Sequence, residues 1–349
     1  MADGVEIIPV REIHQFNEGA LFDYLTENVD GFSGPLQISQ FQGGQSNPTF
    51  LLKTPEREYV MRKKPPGNLL PSAHAVDREY KVISALKDTD VPVPHTYCLC
   101  EDDSIIGTAF YIMEKIEGRV LTTPALPGIE PEDRTAIYDS MNDALAKLHS
   151  VDVDSVGLSY FGRKGGYLAR QVHRWSKQYR ASQTHDLEGM ENLIKWLPEN
   201  IPDNDESAIV HGDYRLGNLI LHPTEPRVLA VLDWELATIG HPLSDLAYNC
   251  MAYHFIHPIN GGLVGVDLNK SGIPTEEVYI DAYCKRTGRD GIDNWEFYVA
   301  FSLFRITAIV QGVYKRGLDG NSSSVVGEEY AQYVKMVADL AWQRIERQR

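Results

Sequence analysis

The chain has 349 residues, 43% of them hydrophobic, which is enough material for two lobes with substantial cores. Its formal net charge of −16 argues against a general binder of nucleic acid or of anionic membranes, since both attract an excess of lysine and arginine. This charge does not exclude a small ligand bound at a local cationic site. We therefore expect a globular protein whose partner is a small molecule, with no nucleic acid and no membrane, and the oligomeric state is left open.

Three features of the sequence predict a cytoplasmic protein. The N-terminal stretch MADGVEIIPVREIHQF lacks the basic segment followed by an apolar one that a secretory signal requires. Four cysteines are few for this length, and reduced thiols are the simplest interpretation. The most apolar long window, residues 297–314, has Arg305 at its centre, a residue that is costly inside a membrane. It predicts a buried helix in which Arg305 pairs with a buried carboxylate.

The first third of the chain has the pattern of a β-sheet. Residues 36–65 contain three short β-prone runs, separated by the turn-rich segments GGQSNP and TPERE. A helix with one apolar face follows at residues 73–89, and the runs HTYCLCE and TAFYIMEKI add two more strands. The pattern predicts a five-stranded antiparallel sheet with one inserted helix.

After Gly118 the pattern changes from strands to helices. Pro131 stands near the start of a helix whose apolar residues recur every three to four positions. Further helices are predicted at residues 166–182, 187–197, 244–255, 275–287, 292–316 and 325–347. The predicted fold class is therefore α+β, with a β-rich N-terminal lobe at residues 1–117 and a larger, mainly helical lobe at residues 118–349. A cleft between two such lobes is the expected ligand site.

The polar stretch HGDYRLGN, residues 211–218, runs directly into apolar residues. The segment LILHPTEPRVLAVLDWE that follows predicts a β-hairpin with its turn at HPTEPR, so that the two ends of the hairpin lie together. Asn218 and Asp233 stand at these ends, which places an amide oxygen beside a carboxylate. Such oxygen ligands suit Mg²⁺ together with substrate phosphates. Asp213 lies one loop away, where it can accept a proton from a hydroxyl group.

HGDYRLGN followed at this distance by LDWELATIGHPLSDLAY resembles the aminoglycoside phosphotransferase family of the kinase superfamily. The similarity covers most of the chain and is strongest to the branch related to the kinase-like domain at the front of some large acyl-CoA dehydrogenases. It implies a protein-kinase-like fold that uses ATP and Mg²⁺. It also implies Asp213 as the catalytic base, Asn218 and Asp233 as magnesium ligands, and His211 as a structural support of the loop.

A site of this kind needs phosphate-facing backbone N–H groups and a cation for the phosphates. The turn FQGGQSNPTFLL is the expected phosphate loop, although it departs from the G-x-G-x-x-G of protein kinases. The residues at its tip are Gly43, Gly44, Gln45, Ser46 and Asn47. Strand alternation puts Arg62 and Lys64 on one face and Lys63 on the other. Either Arg62 or Lys64 can reach the phosphates, and the family register favours Arg62 in the usual lysine position.

Three further positions follow from the same resemblance. Glu79 in VDREYKVI matches the helix carboxylate that orients the cation. TAFYIMEKIEG corresponds to the last strand and hinge of the nucleotide site, where the resemblance implies that the backbone groups of Glu114 and Ile116 face the adenine. Asp245 in IGHPLSD is expected to hold the loop by hydrogen bonds rather than to take part in chemistry.

The resemblance does not identify the phosphate acceptor, because one fold and one ATP site serve many acceptors. Aminoglycosides are polycations and need an acidic site, whereas residues 162–180 are rich in lysine and arginine. A carboxylate, phosphate or coenzyme A substrate suits this basic segment better. Arg170, Arg174 and Trp175 are the candidate acceptor contacts. His254 and His257 in AYHFIHP are alternative candidates for lining the acceptor pocket, but a structural role suits these two histidines better.

We therefore expect an ATP- and Mg²⁺-dependent small-molecule kinase that phosphorylates a hydroxyl of a hydroxy acid or a hydroxyacyl-CoA. An aminoglycoside phosphotransferase is the alternative within the same class. A nucleotide-binding pseudokinase that acts through partners is the alternative from another class, because Arg62 stands in the usual lysine position. A protein kinase is disfavoured, since D-F-G followed by A-P-E is missing from the sequence. The preference between ATP and GTP is left open.

Overall fold

The computed structural model describes residues 6–42, 47–65, 75–257, 261–320 and 328–347. The strands in these ranges are β1 (Ile7–Ile8), β2 (Gln37–Phe41), β3 (Thr49–Lys53), β4 (Glu58–Lys63), β5 (Thr96–Cys100), β6 (Phe110–Glu114), β7 (Ala208–Val210), β8 (Leu219–Leu221), β9 (Val228–Val231) and β10 (Thr238–Gly240). The helices are α1 (Glu18–Asn28), α2 (Val76–Leu86), α3 (Asp103–Ile106), α4 (Pro131–Ser150), α5 (Tyr167–Ser182), α6 (Glu188–Glu199), α7 (Pro242–Cys250), α8 (Leu268–Ser271), α9 (Glu276–Thr287), α10 (Trp295–Leu318) and α11 (Glu328–Glu346).

Six strands form one antiparallel sheet in the order β1-β2-β3-β4-β6-β5. The five predicted strands are all in it, and the predicted α+β class is confirmed. The sixth strand is β1, which pairs with β2 at the edge of the sheet, Ile7 opposite Phe41 and Ile8 opposite Gln40. The sequence does not predict β1, because two residues are too few to show an alternating pattern.

The two faces of the sheet contribute to two hydrophobic cores. Phe110 and Ile112 of β6 belong to one core, whereas Tyr111 between them belongs to the other. The first core is covered by α1, whose fully buried residues are Leu21 and Leu25. Two apolar anchors are a weak signal, and α1 is not predicted from the sequence. The second core is continuous with that of the C-terminal helices, so the sheet and the helices pack together.

Alternation in β4 gives two neighbouring cations different surroundings. Lys63 is buried on the face that carries the first core, with its ammonium 5.4 Å from the ring centroid of Phe16 and 6.0 Å from that of Phe50. Burial lowers the pKa of Lys63. Arg62 lies on the opposite face and contacts Glu79 of α2. The predicted division of these two side chains is confirmed.

The helical part of the chain follows the predicted pattern closely. The chain leaves the sheet after β6 and enters the helices at α4, so the predicted lobe boundary falls in the connection between them. The largest difference is the helix predicted at residues 244–255. It begins earlier, as α7, because Pro242 follows a His241 whose side chain caps the helix, and it continues as a 3-10 turn at Met251–Tyr253.

Within the described chain one helix, α10, is long and apolar enough to cross a membrane, but 89% of its most apolar window is buried inside the protein. The prediction of a buried core helix is confirmed. The predicted carboxylate partner of Arg305 is wrong for the residues described. Arg305 donates to the main-chain carbonyl of Gly212, and its guanidinium lies 4.9 Å from the ring of Tyr248 and 5.5 Å from that of Trp175.

Candidate active site

The predicted hairpin is formed by β8 and β9, with Leu219 opposite Val231. Beyond this pair the N–H of Leu232 donates to the carbonyl of Asn218 at 2.8 Å. Asn218 and Asp233 therefore lie next to each other at the open end of the hairpin. Asp233 has a φ of +66°, a left-handed conformation that is uncommon for residues other than glycine and that clusters at functional sites.

The loop before β8 is fastened to the end of this hairpin by His211. The Nε2–H of this fully buried histidine donates to the carbonyl of Leu232 at 2.8 Å, and its Nδ1 accepts the N–H of Asp213 at 3.2 Å. Gly212 between them has a φ of +83°, and a β-carbon there would lie 2.8 Å from the carbonyl oxygen of Leu236. The loop can therefore take this path only with glycine at position 212.

Asp245, in the first turn of α7, binds the same loop through its side chain. Its buried carboxylate accepts the N–H of His211 at 2.5 Å and the N–H of Gly212 at 2.9 Å. Burial acts to raise the pKa of Asp245, but the hydrogen bond and charge of His149, helped by these loop contacts, hold it below its usual value. These are the hydrogen bonds expected of a residue that positions the loop.

The carboxylate of Asp213 is partly exposed, with 21% of its side chain accessible. Its Oδ2 accepts the Nδ2 of Asn218 at 2.8 Å and the Nε of Arg215 at 3.2 Å. The amide nitrogen of Asn218 therefore faces Asp213, and its amide oxygen is turned away from that carboxylate. The phenol of Tyr248 also lies against Asp213, and burial together with this negative charge raises the pKa of Tyr248.

Arg62 connects the sheet to the hairpin. Its Nη2 donates to Oδ1 of Asp233 at 3.1 Å, and its Nε lies 3.3 Å from Oε2 of Glu79, within ion-pair distance but out of line for a hydrogen bond. The fully buried Glu79 accepts the hydroxyl of Tyr111 at 3.0 Å and the Nδ2 of Asn47 at 2.7 Å. Burial opposes the charge of Arg62, but the two carboxylates raise its pKa above the ordinary value. The predicted cation, its carboxylate and one predicted metal ligand are thus brought together.

The remaining residues of the predicted nucleotide site are placed less completely. Four positions of the phosphate turn lie outside the described residues, namely Gly43, Gly44, Gln45 and Ser46. The side chain of Asn47 is buried against Glu79. Lys64 is half-buried at the end of β4, and within the described chain only its backbone is seen to bond, to Thr108 and Ala109.

The predicted hinge follows the last strand of the sheet. The amide of Glu114 donates to the carbonyl of His95 at 2.7 Å, and its carboxylate accepts the N–H of His95 at 3.2 Å. These contacts fasten β6 to the start of β5. Ile116 is half-buried just beyond the strand, and no described residue accepts its N–H. Contact of Glu114 and Ile116 with adenine stays a prediction.

The three predicted acceptor residues lie on α5, and they differ in their burial and in whether their contacts lead to the loop that carries Asp213. Trp175 is buried and packs on Arg305, which itself donates to the carbonyl of Gly212, next to Asp213. Arg174 is exposed, with its guanidinium 5.4 Å from the ring of Trp175. Arg170 donates to two main-chain carbonyls of the loop before α5, and among the described contacts none joins it to Asp213.

The two histidines considered as acceptor contacts have different surroundings. The Nε2 of His254 lies 2.8 Å from the carboxylate of Glu276, and its Nδ1 lies 2.9 Å from a guanidinium nitrogen of Arg344, which is a structural arrangement. His257 lies nearer the site, where burial and the charge of Arg215 lower its pKa. Its ring also packs against an aromatic residue of α11.

Sequence reasoning missed two residues that contact Asp213. Arg215 stands within HGDYRLGN itself, and Tyr248 stands on α7 three residues after Asp245. Charge beside the expected base was a usable signal for Arg215. Tyr248 carries no such signal, because its approach to Asp213 depends on how α7 packs under the loop.

Comparisons with known sequences match residues 37–285 to the phosphotransferase enzyme family. Acyl-CoA dehydrogenase family member 10 of Mus musculus is 49% identical over 337 residues, which are 96% of this chain and 32% of that protein. Acyl-CoA dehydrogenase family member 11 of Homo sapiens is 44% identical over 348 residues, which are 98% of this chain and 44% of that protein. The chain therefore spans less than half the length of these relatives.

Two solved structures show how far the fold is shared. A Ralstonia eutropha protein assigned as an aminoglycoside phosphotransferase aligns with a TM-score of 0.88 at 48% identity, over 95% of this chain and 99% of that one. An aminoglycoside phosphotransferase solved with ADP and hygromycin B aligns with a TM-score of 0.60 at 15% identity, over 93% of this chain and 98% of that one. At 15% identity the second likeness concerns the fold alone. The predicted kinase-like fold is confirmed.

Proposed function

This chain belongs to the phosphotransferase enzyme family, and we propose that it uses ATP and Mg²⁺ to phosphorylate a hydroxyl group of a small molecule. The family accounts for the phosphotransferase class. The observation that carries the finer proposal is the ion pair between Arg62 and Asp233, at 3.1 Å. It joins the cation of the sheet to a predicted metal ligand, Asp233. Asp233 lies next to Asn218, which in turn donates a hydrogen bond to the predicted base Asp213.

The proposed role of Arg62 is to bind the phosphates of ATP. A guanidinium presents two parallel N–H groups that match phosphate oxygens, and Glu79 orients it from its buried side. Related structures of the same fold were solved with ADP, with AMP-PNP and with GDP, which supports a purine nucleotide here and leaves the choice of base open. An arginine in this position is therefore compatible with activity.

The side chains of Asn218 and Asp233 suit magnesium. They offer an amide oxygen and a carboxylate, and in the described part of the chain there is no cluster of three or more histidine, cysteine or acidic residues that would form a complete protein cage. Mg²⁺ commonly takes only one or two protein carboxylates and fills its other positions with phosphates and water. When bound with ATP it would neutralise charge on the phosphates.

Asp213 is the proposed base for the acceptor hydroxyl. The hydroxyl oxygen forms a bond to the γ-phosphorus, the bond from that phosphorus to the β–γ bridging oxygen breaks, and the proton passes to the Asp213 carboxylate. Asn218 orients this carboxylate through a hydrogen bond of 2.8 Å. His211 and Asp245 fix the loop that carries it, so the base is held in place before the acceptor arrives.

We propose that the acceptor is anionic, a hydroxy acid or a hydroxyacyl-CoA. Arg215 lies on Asp213 with 39% of its side chain exposed, so an acceptor that reaches the base meets a positive charge. Nη1 and Nη2 of this guanidinium have no acceptor among the described residues, so they can bind a carboxylate or phosphate of the acceptor, groups that a polycation lacks. The names of the relatives add support for a coenzyme A thioester, since this chain matches one part of proteins named as acyl-CoA dehydrogenases.

The acceptor class is tested by measuring ADP formation from MgATP with hydroxyacyl-CoA thioesters, free hydroxy acids and aminoglycosides, each beside its analogue that lacks the hydroxyl group. We expect turnover with one of the anionic classes and none with the matched deoxy compound. Turnover of aminoglycosides alone would contradict the acceptor proposal and leave the kinase. ATP binding without turnover of any acceptor would favour a pseudokinase.

A further inference from the structure

We infer that Arg215 is a further catalytic residue, whose guanidinium contacts the phosphoryl group as this group passes from ATP to the acceptor. The inference rests on the proposed function, because it requires a γ-phosphoryl group above Asn218 and an acceptor hydroxyl at Asp213. It assigns to the chain's own loop the positive charge that phosphoryl transfer needs between donor and acceptor.

The position of Arg215 is set by its two neighbours in the loop. Its Nε lies 3.2 Å from Oδ2 of Asp213, and the same oxygen accepts the Nδ2 of Asn218 at 2.8 Å. The guanidinium therefore lies beside the predicted base, Asp213, and against the turn at Gly217 that leads to the predicted metal ligand, Asn218. A phosphoryl group that moves from a nucleotide at Asn218 to a hydroxyl at Asp213 has to cross this region.

Gly217 provides the space in which the guanidinium lies. A β-carbon built at Gly217 would overlap Nη1 of Arg215 and would meet nothing else closer than the Cζ of the same side chain. Gly217 is in a 3-10 turn, Leu216–Asn218, and it is not one of the glycines with positive φ. The backbone therefore does not require glycine here, and the missing side chain serves to let Arg215 fold over the turn.

The terminal nitrogens of Arg215 remain available to a ligand. Arg62 and Arg305 use Nη2 to bind a carboxylate and a carbonyl within the protein. Among the residues described, none accepts a hydrogen bond from Nη1 or Nη2 of Arg215. Its side chain is 39% exposed, compared with 10% for Arg62. Arg215 can therefore offer Nη1 and Nη2 to an anion beside Asp213 while Nε stays on Asp213.

The chemistry of the transfer suits such a group. Negative charge spreads over the three non-bridging oxygens of the phosphoryl group while the new O–P bond forms and the bond to ADP breaks. The acceptor proton goes to Asp213, and Arg215 exchanges no proton, because a guanidinium stays charged at all working pH values. Its donors act by stabilising charge that is largest at the transition state.

The test is to compare the affinity for MgADP with the affinity for MgADP plus aluminium fluoride, which imitates the phosphoryl group in flight. The titration needs no acceptor and no proton transfer. We expect Arg215→Gln to bind MgADP like the wild type. Its affinity for the fluoride complex, relative to its affinity for MgADP, should fall about 10²–10³-fold, as for removal of one pre-organised donor. Arg215→Lys should lose less, because it keeps the charge.

Two matched variants sharpen the comparison. Gly217→Ala keeps Arg215 but displaces its guanidinium, and it should weaken the fluoride complex without changing MgADP affinity. Arg227, exposed in the turn of the β8–β9 hairpin and paired with Glu225, is the control, and Arg227→Gln should bind both forms like the wild type. Thermal unfolding of each variant shows that it is folded.

Two results would overturn the inference. If Arg215→Gln slows turnover but keeps wild-type affinity for the fluoride complex, then Arg215 acts only through Asp213. If it weakens MgADP and the fluoride complex equally, it binds the ground state and gives no transition-state stabilisation. Failure of the proposed function would be seen separately, as a wild-type protein that binds nucleotide and phosphorylates no acceptor.

Discussion

Arg62 shows how one side chain can serve two partners that a lysine cannot reach together. Its Nη2 lies 3.1 Å from Asp233 and its Nε lies 3.3 Å from Glu79, so the planar guanidinium lies between the hairpin and α2. A lysine has one compact ammonium on a flexible stem, which cannot reproduce both contacts in this fixed geometry. The arginine is therefore built into the site, and its presence is not evidence of a lost lysine.

Replacing this residue by lysine tests that interpretation. We expect Arg62→Lys to raise the KM for MgATP about tenfold, since one charge-assisted hydrogen bond of about 1.5 kcal/mol is lost. Lys53→Met, a change of a largely exposed cation on the neighbouring strand, is the control and should leave the KM unchanged. Higher turnover in Arg62→Lys would contradict this account and support the pseudokinase alternative.

Single residues were predictable from sequence where their spacing determined a contact. Asn218 and Asp233 are brought together by the hairpin that their separation predicts, and Arg62 and Lys63 lie on opposite faces as strand alternation requires. The pairing of Arg62 with Glu79 was implied by the family resemblance. Arg305 was not predictable in this way. Its partner is the carbonyl of Gly212, and a main-chain acceptor leaves no trace in the sequence.

At the scale of elements, the start of α7 determines the path of the loop that carries Asp213. Asp245 accepts hydrogen bonds from the backbone N–H groups of His211 and Gly212. Both groups are buried, so each needs an acceptor within the protein. Its pKa is held below the usual value for an aspartate. The stability it contributes is therefore present above the pKa of an unfolded aspartate and is lost as the pH falls through the lowered value.

Asp245→Asn should reduce the free energy of unfolding by about 1.5–3 kcal/mol at neutral pH, because an amide replaces a carboxylate that binds two N–H groups. The difference from the wild type should stay constant down to a pH of about 4 and shrink only below it, as Asp245 becomes protonated. Chemical denaturation across this pH range measures it. Asp23→Asn, exposed on α1, should show no such difference, and a gap that already closes near neutral pH would contradict the lowered pKa.

Elements with a clear apolar stripe were predictable, and short or weakly anchored ones were not. The helices from α4 to α11 were predicted because each carries apolar residues at helical spacing over more than two turns, apart from the four-residue α8, which was not predicted. The two residues of β1 and the two buried anchors of α1 give no comparable periodic signal. Tertiary packing, rather than local pattern, defines these elements.

At the scale of the whole molecule, the proposed chemistry draws on both parts of the chain. The sheet and α2 supply Arg62 and Glu79, whereas the loop and hairpin among the helices supply Asp213, Asn218 and Asp233. A net charge of −16 does not by itself exclude the proposed anionic acceptor, because Arg62 and Arg215 place two guanidinium groups beside Asp233 and Asp213.

The central claim is that Asp213 accepts the proton of the acceptor hydroxyl. The most direct measurement is the kcat of Asp213→Asn on the best acceptor, together with its affinity for MgATP, beside the wild type and Asp281→Asn, a control exposed on α9. The account predicts that Asp213→Asn lowers kcat about 10²–10⁴-fold and leaves MgATP affinity unchanged, since asparagine keeps the shape but cannot take the proton. A kcat close to that of the wild type would contradict it.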